Sequence, residues 1–262
     1  ILLNCITLVY IERDDFINQE ILSKNSDIRI AWGGEEAVST ILSLKKNFFT
    51  EDIIYGPKYS YVILDSEFLN ENVKNTAQRL ALDVSVFDQY ACNSPHTVFV
   101  ESEDLENIEL AKELAKELAN SMETVNRIMI PKSQISEKKA MEILSTRTEY
   151  DFKGEVFASK NTDWTVIYSE EEGLANPCFS RVVFIRPIKN IEEIEKFHNR
   201  KIQSIGIGIT NKEKREKIVD LITLNGGDRC PYIGNMSKFS SPWDGIFGMD
   251  RMIRWISLTN KK

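Results

Sequence analysis

The sequence predicts an α/β protein with a mainly parallel sheet, and its first sixty-four residues carry the clearest pattern. Short β-rich runs at residues 6–11, 27–32 and 59–64 alternate with segments of helical periodicity at 14–22 and 35–46. Strands that alternate with helices are typical of βαβ units, in which neighbouring strands run parallel. We therefore expect part of a doubly wound sheet in this region.

The alternation continues along the rest of the chain. Strands are predicted there at residues 97–100, 164–168, 182–185 and 205–209, in addition to one at 53–55 within the first sixty-four residues. Helices are predicted at residues 70–87, from Ser102 to beyond Leu118, at 191–197 and at 212–224. The aromatic-rich tail, residues 242–258, is expected to form a packed terminal helix.

Composition excludes several classes of protein. The 262 residues are 42% hydrophobic and 28% charged, which is typical of a globular protein and excludes a disordered or collagen-like chain. The net charge of −7 without a basic run argues against a nucleic-acid partner, since that binding needs clustered Lys and Arg. No apolar stretch approaches the roughly 20 residues that span a bilayer, and no signal peptide is recognisable.

Cysteine spacing argues against a metal centre. No two of the four cysteines form a CxxC pair, and only two histidines could supplement them, so we expect no structural zinc site. A disulfide framework is also unexpected at this chain length, and a cytoplasmic location is the default.

Cys92 has the most polar surroundings of the four cysteines. It lies between a predicted helix and a predicted strand, in the sequence Asp88-Gln-Tyr-Ala-Cys-Asn-Ser-Pro-His96. Loops between elements commonly hold reactive side chains, although most cysteines are simply small buried hydrophobes. His96 could pair with Cys92 as a thiolate–imidazolium nucleophile, but Pro95 and the following strand work against that geometry.

Gly33 and Gly34 end a predicted strand and begin a predicted helix. Glycines at such a junction let a ligand approach the backbone, where the first N–H groups of the helix favour an anion. Glu35 and Glu36 would repel a phosphate on the helix axis, and the Gly-Lys-Ser/Thr of a P-loop is absent. The junction therefore favours a cofactor that passes beside the helix end.

These segments together resemble a known family. Residues 88–101 are similar to the active-cysteine segment of LuxC-type acyl-CoA reductases, the fatty-acid-reducing branch of the aldehyde dehydrogenase superfamily. Further similar segments follow the family's order, at residues 27–38, 55–60, 229–234 and 241–245. The resemblance covers nearly the whole chain and favours the reactive interpretation of Cys92.

The resemblance implies an NADPH-dependent reduction of a long-chain acyl thioester to a fatty aldehyde. Cys92 would be the catalytic nucleophile, and Gly33 and Gly34 would lie on the cofactor side. The oxyanion would be bound by the backbone N–H of Cys92 and by a second donor upstream of Ile1. The implied partners are acyl-CoA or an acyl-protein, the synthetase and transferase subunits of a fatty acid reductase complex, and further copies of the chain. The aldehyde would serve luminescence or another lipid pathway.

The chain departs from the wider superfamily at two positions. Ile54 stands where oxidising aldehyde dehydrogenases have the Glu that activates water, so the acyl group would persist on sulfur. Pro177 stands where a Glu binds the cofactor ribose, so cofactor binding would use other contacts. We expect residues 1–64 to be the C-terminal part of a dinucleotide-binding domain, 65–240 the catalytic domain and 241–262 a helical segment. Because half of the dinucleotide site would then precede Ile1, this chain alone is not expected to bind NADPH.

Two other functions fit the same residues. One is a cysteine acyltransferase or thioesterase that uses Cys92 and His96 without a nicotinamide. The other is a non-catalytic subunit that docks an acyl-activating synthetase. A reductase consumes NADPH when it is given the acyl substrate, whereas an acyltransferase or thioesterase does not. Replacement of Cys92 abolishes either enzyme but leaves a scaffold functional.

Overall fold

A computed structural model describes residues 5–102 and 104–259. Within those ranges the chain forms two compact units. The smaller unit is formed by described residues of the ranges Ile1–Pro57 and Ile246–Lys262, and the larger unit by those of Lys58–Gly245.

The smaller unit contains one strand–helix–strand arrangement preceded by a helix. Its elements are α1 (Phe16–Lys24), β1 (Ile28–Trp32), α2 (Glu35–Ser43) and β2 (Glu51–Tyr55). β1 and β2 pair in parallel, as the alternation of elements predicts. The buried Arg29 side chain on β1 donates to both carboxylate oxygens of Asp52 on β2, at 2.6 and 2.9 Å, and to the carbonyl of Ile41 at 2.9 Å. This one guanidinium therefore joins both strands to α2.

Two predictions for this unit are wrong. The apolar run at residues 6–11 forms no strand, and Leu8 and Tyr10 are largely exposed. β-Propensity produces a strand only where a neighbour supplies hydrogen bonds, and among the described residues β1 and β2 pair with each other. The terminal helix is reduced to one turn, Gly248–Arg251, and Trp255 is exposed. A helix in that tail would need an apolar surface to pack against, and Trp255 stays exposed in the described part of the chain.

The larger unit is built on a six-stranded sheet with strand order β5-β6-β7-β4-β3-β8. Every neighbouring pair is parallel except β5 with β6. The strands are β3 (Tyr59–Leu64), β4 (Pro95–Glu101), β5 (Gly154–Ala158), β6 (Thr165–Ser169), β7 (Val182–Ile188) and β8 (Ile202–Gly208). The helices are α3 (Ser66–Glu71), α4 (Val73–Ser85), α5 (Leu105–Thr124), α6 (Glu137–Tyr150) and α7 (Lys212–Leu224).

Apolar clusters cover both faces of this sheet. On one face α4 and α5 pack Leu80 and Leu114 against Val62 and Val98 of the central strands. On the other face α7 and the 3₁₀ segment Ile191–Phe197 pack against alternate residues of the same strands. Parallel strands buried on both faces are the hallmark of doubly wound sheets.

The structure differs from the sequence-based expectation in three details of this unit. The helix predicted at residues 70–87 is two helices, because the side chain of Asn72 accepts from the N–H of Asn75 and caps a new one. The N-cap of α5 is Asp104 and not Ser102, whose hydroxyl instead contacts the carbonyls of Val100 and Asn107. The strand β5 and the helix α6 were not predicted.

Candidate active site around Cys92

A short left-handed stretch connects α4 to the loop that holds Cys92. Phe87, Asp88 and Gln89 have φ angles of 52°, 50° and 66°. Non-glycine residues rarely adopt this conformation, and each costs of order 1–3 kcal/mol unless its surroundings impose it. The side chains of Asp88 and Gln89 provide those surroundings.

Asp88 forms a buried ion pair with Arg181. The Arg181 side chain is fully buried, and its Nε donates to the Asp88 carboxylate at 2.6 Å. Arg181 also donates to the Ile130 carbonyl at 2.9 Å, while Asp88 accepts from the N–H of Ser133 at 3.1 Å. Burial alone would raise the pKa of Asp88, but the Ser133 hydrogen bonds and the Arg181 charge outweigh it and lower that pKa.

Gln89 connects the same stretch to the sheet. Its buried carboxamide donates to the carbonyls of Pro95 and Val182, at 2.8 and 2.9 Å, and accepts from the N–H of Val182 at 2.9 Å. One side chain thus joins the first residue of β4 to the first residue of β7. The loop between Gln89 and Pro95, which contains Cys92, is closed at its base by these contacts.

A second left-handed stretch faces the first. Phe179, Ser180 and Arg181 have φ angles of 55°, 59° and 65°, and the ring of Phe179 stacks on that of Tyr90 at 5.5 Å. The two stretches meet through the ring stack and the Asp88–Arg181 pair. The backbone just before Cys92 is therefore fixed by residues about ninety positions away.

The Cys92 sulfur accepts a hydrogen bond from Gln203. The carboxamide nitrogen of Gln203, at the start of β8, lies 3.1 Å from the half-buried sulfur and also donates to the carboxylate of Asp244. Burial raises the pKa of the Cys92 thiol, the Gln203 hydrogen bond lowers it, and the Asp244 charge raises it. The balance is a raised pKa, so the thiol form predominates at neutral pH.

Backbone contacts fix the position of Cys92. Ser60 on β3 donates its hydroxyl to the Cys92 carbonyl at 2.7 Å and accepts from the N–H of Ser204 on β8 at 3.1 Å. The neighbouring Asn93 donates to the Met236 carbonyl at 2.8 Å. Cys92 therefore lies at the amino ends of three adjacent parallel strands, β4, β3 and β8.

Four charged side chains lie around the Gln203 carboxamide. Asp244 contacts it directly, and Lys58 forms an ion pair with Asp228 beside Asp244. Burial lowers the pKa of the Arg229 guanidinium, while the nearby Cys92 and Asp244 raise it. The Arg229 guanidinium lies 4.4 Å from the centre of the Trp243 ring, within cation–π distance. The sulfur thus has cationic and anionic neighbours together.

His96 does not form the pair with Cys92 that was considered from the sequence. Its side chain is buried, and its Nδ1 has no hydrogen-bond partner among the described residues. Burial lowers the pKa of His96 to about 4, so the ring is neutral at pH 7. It borders a cavity of about 190 Å³ that Ser60 and Pro177 also line.

The other cysteines of the larger unit have apolar or buried surroundings. Cys178 is buried beside Thr146, whose hydroxyl lies 3.7 Å from its sulfur. Burial raises the pKa of Cys230 to about 12. Cys178 therefore also has a donor on its sulfur, but it is buried, whereas Cys92 is partly exposed.

Gly33 and Gly34 lie in the smaller unit, at the junction of β1 and α2, where the sequence predicts them. Gly34 is the N-cap of α2, and no side chain caps this helix end. A Cβ on Gly34 would meet no atom within 4 Å, so the space beside the helix end is open. Of the two acidic residues in the first turn, Glu36 forms an ion pair with Arg13.

The sequence singles out Cys92 as a candidate, but it does not indicate which residues contact Cys92 in the fold. Gln203, Asp244, Asp88 and Arg181 are each 41 to 111 positions from the residues they contact. Asp244 belongs to the segment 241–245, which resembles a segment of the family, but no local pattern in the sequence connects Asp244 to Gln203. In the described ranges no cluster of His, Cys, Asp or Glu could hold a metal ion, and no helix is long and apolar enough to cross a membrane.

The fold is that of the aldehyde dehydrogenases. An aldehyde dehydrogenase from Physcomitrella patens superposes with a TM-score of 0.65 at 14% sequence identity, over 89% of this chain and 50% of that one. This similarity establishes the fold alone.

The sequence comparison assigns the family. The model of the acyl-CoA reductase (LuxC) family matches residues 1–255, so the chain belongs to that family. The long-chain acyl-protein thioester reductase of Vibrio harveyi is 25% identical over 248 residues, which are 93% of this chain and 49% of that protein. Its counterpart from Photorhabdus luminescens is 27% identical over 249 residues, with the same coverage. The chain spans about half the length of these relatives.

Proposed function

We propose that this chain contributes the catalytic cysteine of an NADPH-dependent reductase that converts a long-chain acyl thioester into the fatty aldehyde. The observation that carries the proposal is the position of Cys92, half-buried in a fixed loop with a donor on its sulfur, in a member of the acyl-CoA reductase family. The relatives named as long-chain acyl-protein thioester reductases support this class of substrate.

Cys92 performs the covalent step. Its thiolate attacks the acyl carbon, a new carbon–sulfur bond forms, and the thiolate of CoA or of an acyl carrier departs with its electron pair. The N–H of Cys92 is the donor that this chain offers to the oxyanion. The Ser60 hydroxyl holds the Cys92 carbonyl, so the loop does not need to reorganise during the attack.

Gly33 and Gly34 are the residues of this chain proposed to contact the cofactor. The uncapped N–H groups of α2 and the open space at Gly34 fit a polyphosphate that passes beside the helix end. The ion pair of Glu36 with Arg13 reduces the repulsion that this acidic turn would otherwise exert. A bound nicotinamide would supply the hydride that reduces the acyl group on Cys92.

The absence of a water-activating carboxylate is part of the proposal. Under the family resemblance Ile54 stands where oxidising enzymes have a Glu. Without that base the acyl group on Cys92 survives long enough to be reduced.

The geometry gives no support to an acyltransferase that uses Cys92 with His96. Among the described residues no hydrogen bond joins His96 to the Cys92 sulfur, and an imidazole whose pKa is lowered to about 4 is too weak a base to deprotonate a thiol whose pKa is raised. As partners we propose acyl-activating synthetase and transferase subunits and further copies of the chain, in a reducing compartment such as the cytoplasm.

The test is a reduction assay on the full-length protein with a fatty acyl-CoA. The proposal expects acyl-dependent oxidation of NADPH and release of the aldehyde, both lost in Cys92→Ser and kept in Cys178→Ser. Release of CoA without NADPH oxidation would indicate transfer or hydrolysis instead. Full activity of Cys92→Ser would refute the role of this cysteine.

A further inference from the structure

One carboxamide connects the Cys92 sulfur to a carboxylate. The same nitrogen of Gln203 lies 3.1 Å from the sulfur and donates to Asp244. A carboxamide nitrogen has two N–H groups, so both contacts can exist at once. Among the described residues, the oxygen of this carboxamide has one long contact of 3.5 Å, with the hydroxyl of Ser204.

The orientation of this carboxamide decides its effect on the sulfur. With nitrogen toward Cys92 it donates a hydrogen bond that favours the thiolate, whereas with oxygen toward Cys92 it would repel the thiolate. An ionised carboxylate accepts hydrogen bonds and donates none. Contact with Asp244 therefore selects the nitrogen and restricts the rotamers of the long Gln203 side chain.

We propose that Gln203 is the hydrogen-bond donor to the Cys92 thiolate and that Asp244 is a positioning residue that acts on Cys92 through Gln203. The inference rests on the proposed role of Cys92 as the nucleophile. In this arrangement Gln203 donates to the sulfur and Asp244 keeps Gln203 in place, both before the acyl group binds to Cys92 and after it leaves.

Asp244 also acts on the sulfur through space, and the two effects differ in sign. The charge of Asp244 disfavours the thiolate, while the donor that it holds favours the thiolate. The other groups that act on the thiolate are the Arg229 guanidinium and the backbone N–H groups of Cys92 and Asn93. The Lys58–Asp228 pair acts on Asp244. A test must therefore separate the charge of Asp244 from its contact with Gln203.

Two variants of Asp244 make that separation. Asp244→Asn and Asp244→Ala remove the same charge, but only asparagine keeps an oxygen that can accept from Gln203. The measurement is the pH midpoint of iodoacetamide alkylation at Cys92 in the full-length protein, read by peptide mass spectrometry, with folding checked by thermal melting. Without an acceptor at position 244, the Gln203 side chain is free to change rotamer, and we expect about one rotamer in three to keep the hydrogen bond to Cys92. The pH midpoint of alkylation in Asp244→Ala should then lie about half a pH unit above the midpoint in Asp244→Asn.

Asp244→Asn and Asp244→Ala are then compared in a protein that also carries a replacement of Gln203. Gln203→Met, which keeps the length of the side chain but removes the donor, should raise the midpoint by about one unit, tenfold in thiolate fraction. In this background Asp244→Asn and Asp244→Ala should have equal midpoints. Equal midpoints of the two Asp244 variants with Gln203 present would overturn the positioning role. An unchanged or lower midpoint in Gln203→Met would overturn the donor role.

Asp228 provides a matched control. It is a carboxylate of the same group of charges, but its side chain pairs with Lys58. Asp228→Asn and Asp228→Ala should therefore have equal midpoints, and a half-unit difference between them would overturn the assignment to Asp244. Alkylation needs neither an acyl substrate nor a cofactor, so a reductase assay that fails while these midpoints hold would refute only the proposed function.

Discussion

Removal of the Asp88 charge should strongly destabilise the larger unit. In Asp88→Asn the fully buried Arg181 loses its counter-ion, while its contacts with Asn126 and the Ile130 carbonyl remain. Breaking a buried ion pair by removing one partner costs about 3–5 kcal/mol. Because two neutral contacts remain, we expect about 3 kcal/mol. Asparagine tolerates the left-handed conformation of residue 88. The lost stability therefore comes from the missing charge and not from backbone strain.

Urea unfolding measures this loss as a lower free energy of unfolding. A loss of about 3 kcal/mol corresponds to a melting temperature lower by about 6–12 °C for a unit of this size. The double variant Asp88→Asn with Arg181→Met should lose less than the sum of the two single variants, since no unpaired charge stays buried. A loss below about 1 kcal/mol in Asp88→Asn, or additive losses in the double variant, would refute the reasoning.

The pH dependence of the same pair gives an independent check. The pKa of Asp88 is lowered in the folded protein, so its contribution is fully present above the unfolded value of about 3.9. It is lost as the pH falls through the folded pKa. In acid, the stability difference between the natural protein and Asp88→Asn should therefore shrink. A difference that stays constant below pH 4 would contradict the linkage.

Four further changes have definite expected results. Gln89→Leu removes three hydrogen bonds and should lower the free energy of unfolding in urea by about 3 kcal/mol, at about 1 kcal/mol for each; an unchanged urea midpoint would show that Gln89 does not close the base of the loop. Ser60→Ala should lower the rate of Cys92 acylation with little change in the melting temperature, because the Ser60 hydroxyl holds the Cys92 carbonyl; an acylation rate equal to that of the natural protein would argue against that role. Since the pKa of His96 is lowered to about 4, its neutral state contributes stability above pH 6.5 that is lost as the pH falls toward 4, and His96→Phe should flatten this slope in acid titrations. Leu114→Ala, at a core position of α5, should lower the free energy of unfolding by about 2–5 kcal/mol and leave the pH midpoint of Cys92 alkylation unchanged.

The fold was predictable where periodicity is local. β1, β4 and β8 are short apolar runs between helical segments, β3 is a similar run that follows β2, and each was expected near its observed place. α6 was missed because Glu137–Tyr150 has a mixed surface with little apolar periodicity, and it buries only Ile143 and Tyr150. The run at residues 6–11 misled because apolar residues alone do not make a strand without a paired neighbour.

Of the candidate site, only the proposed nucleophile was predictable from the sequence. Cys92 is marked by its polar surroundings and by the family resemblance, both of which can be seen in the sequence. The left-handed stretch at Phe87 to Gln89 contains no glycine, so nothing local indicates it. The contact between Gln203 and Cys92 depends on the order of β3, β4 and β8 in the sheet, which brings distant residues to one edge.

The most direct measurement is the location of the acyl group after the full-length protein is incubated with a fatty acyl-CoA in the absence of a reductant. Peptide mass spectrometry should find one acyl thioester, on the peptide that contains Cys92, and Cys92→Ser should lose it while Cys178→Ser keeps it. An adduct on Cys5, Cys178 or Cys230 with an unmodified Cys92 would contradict the proposed chemistry.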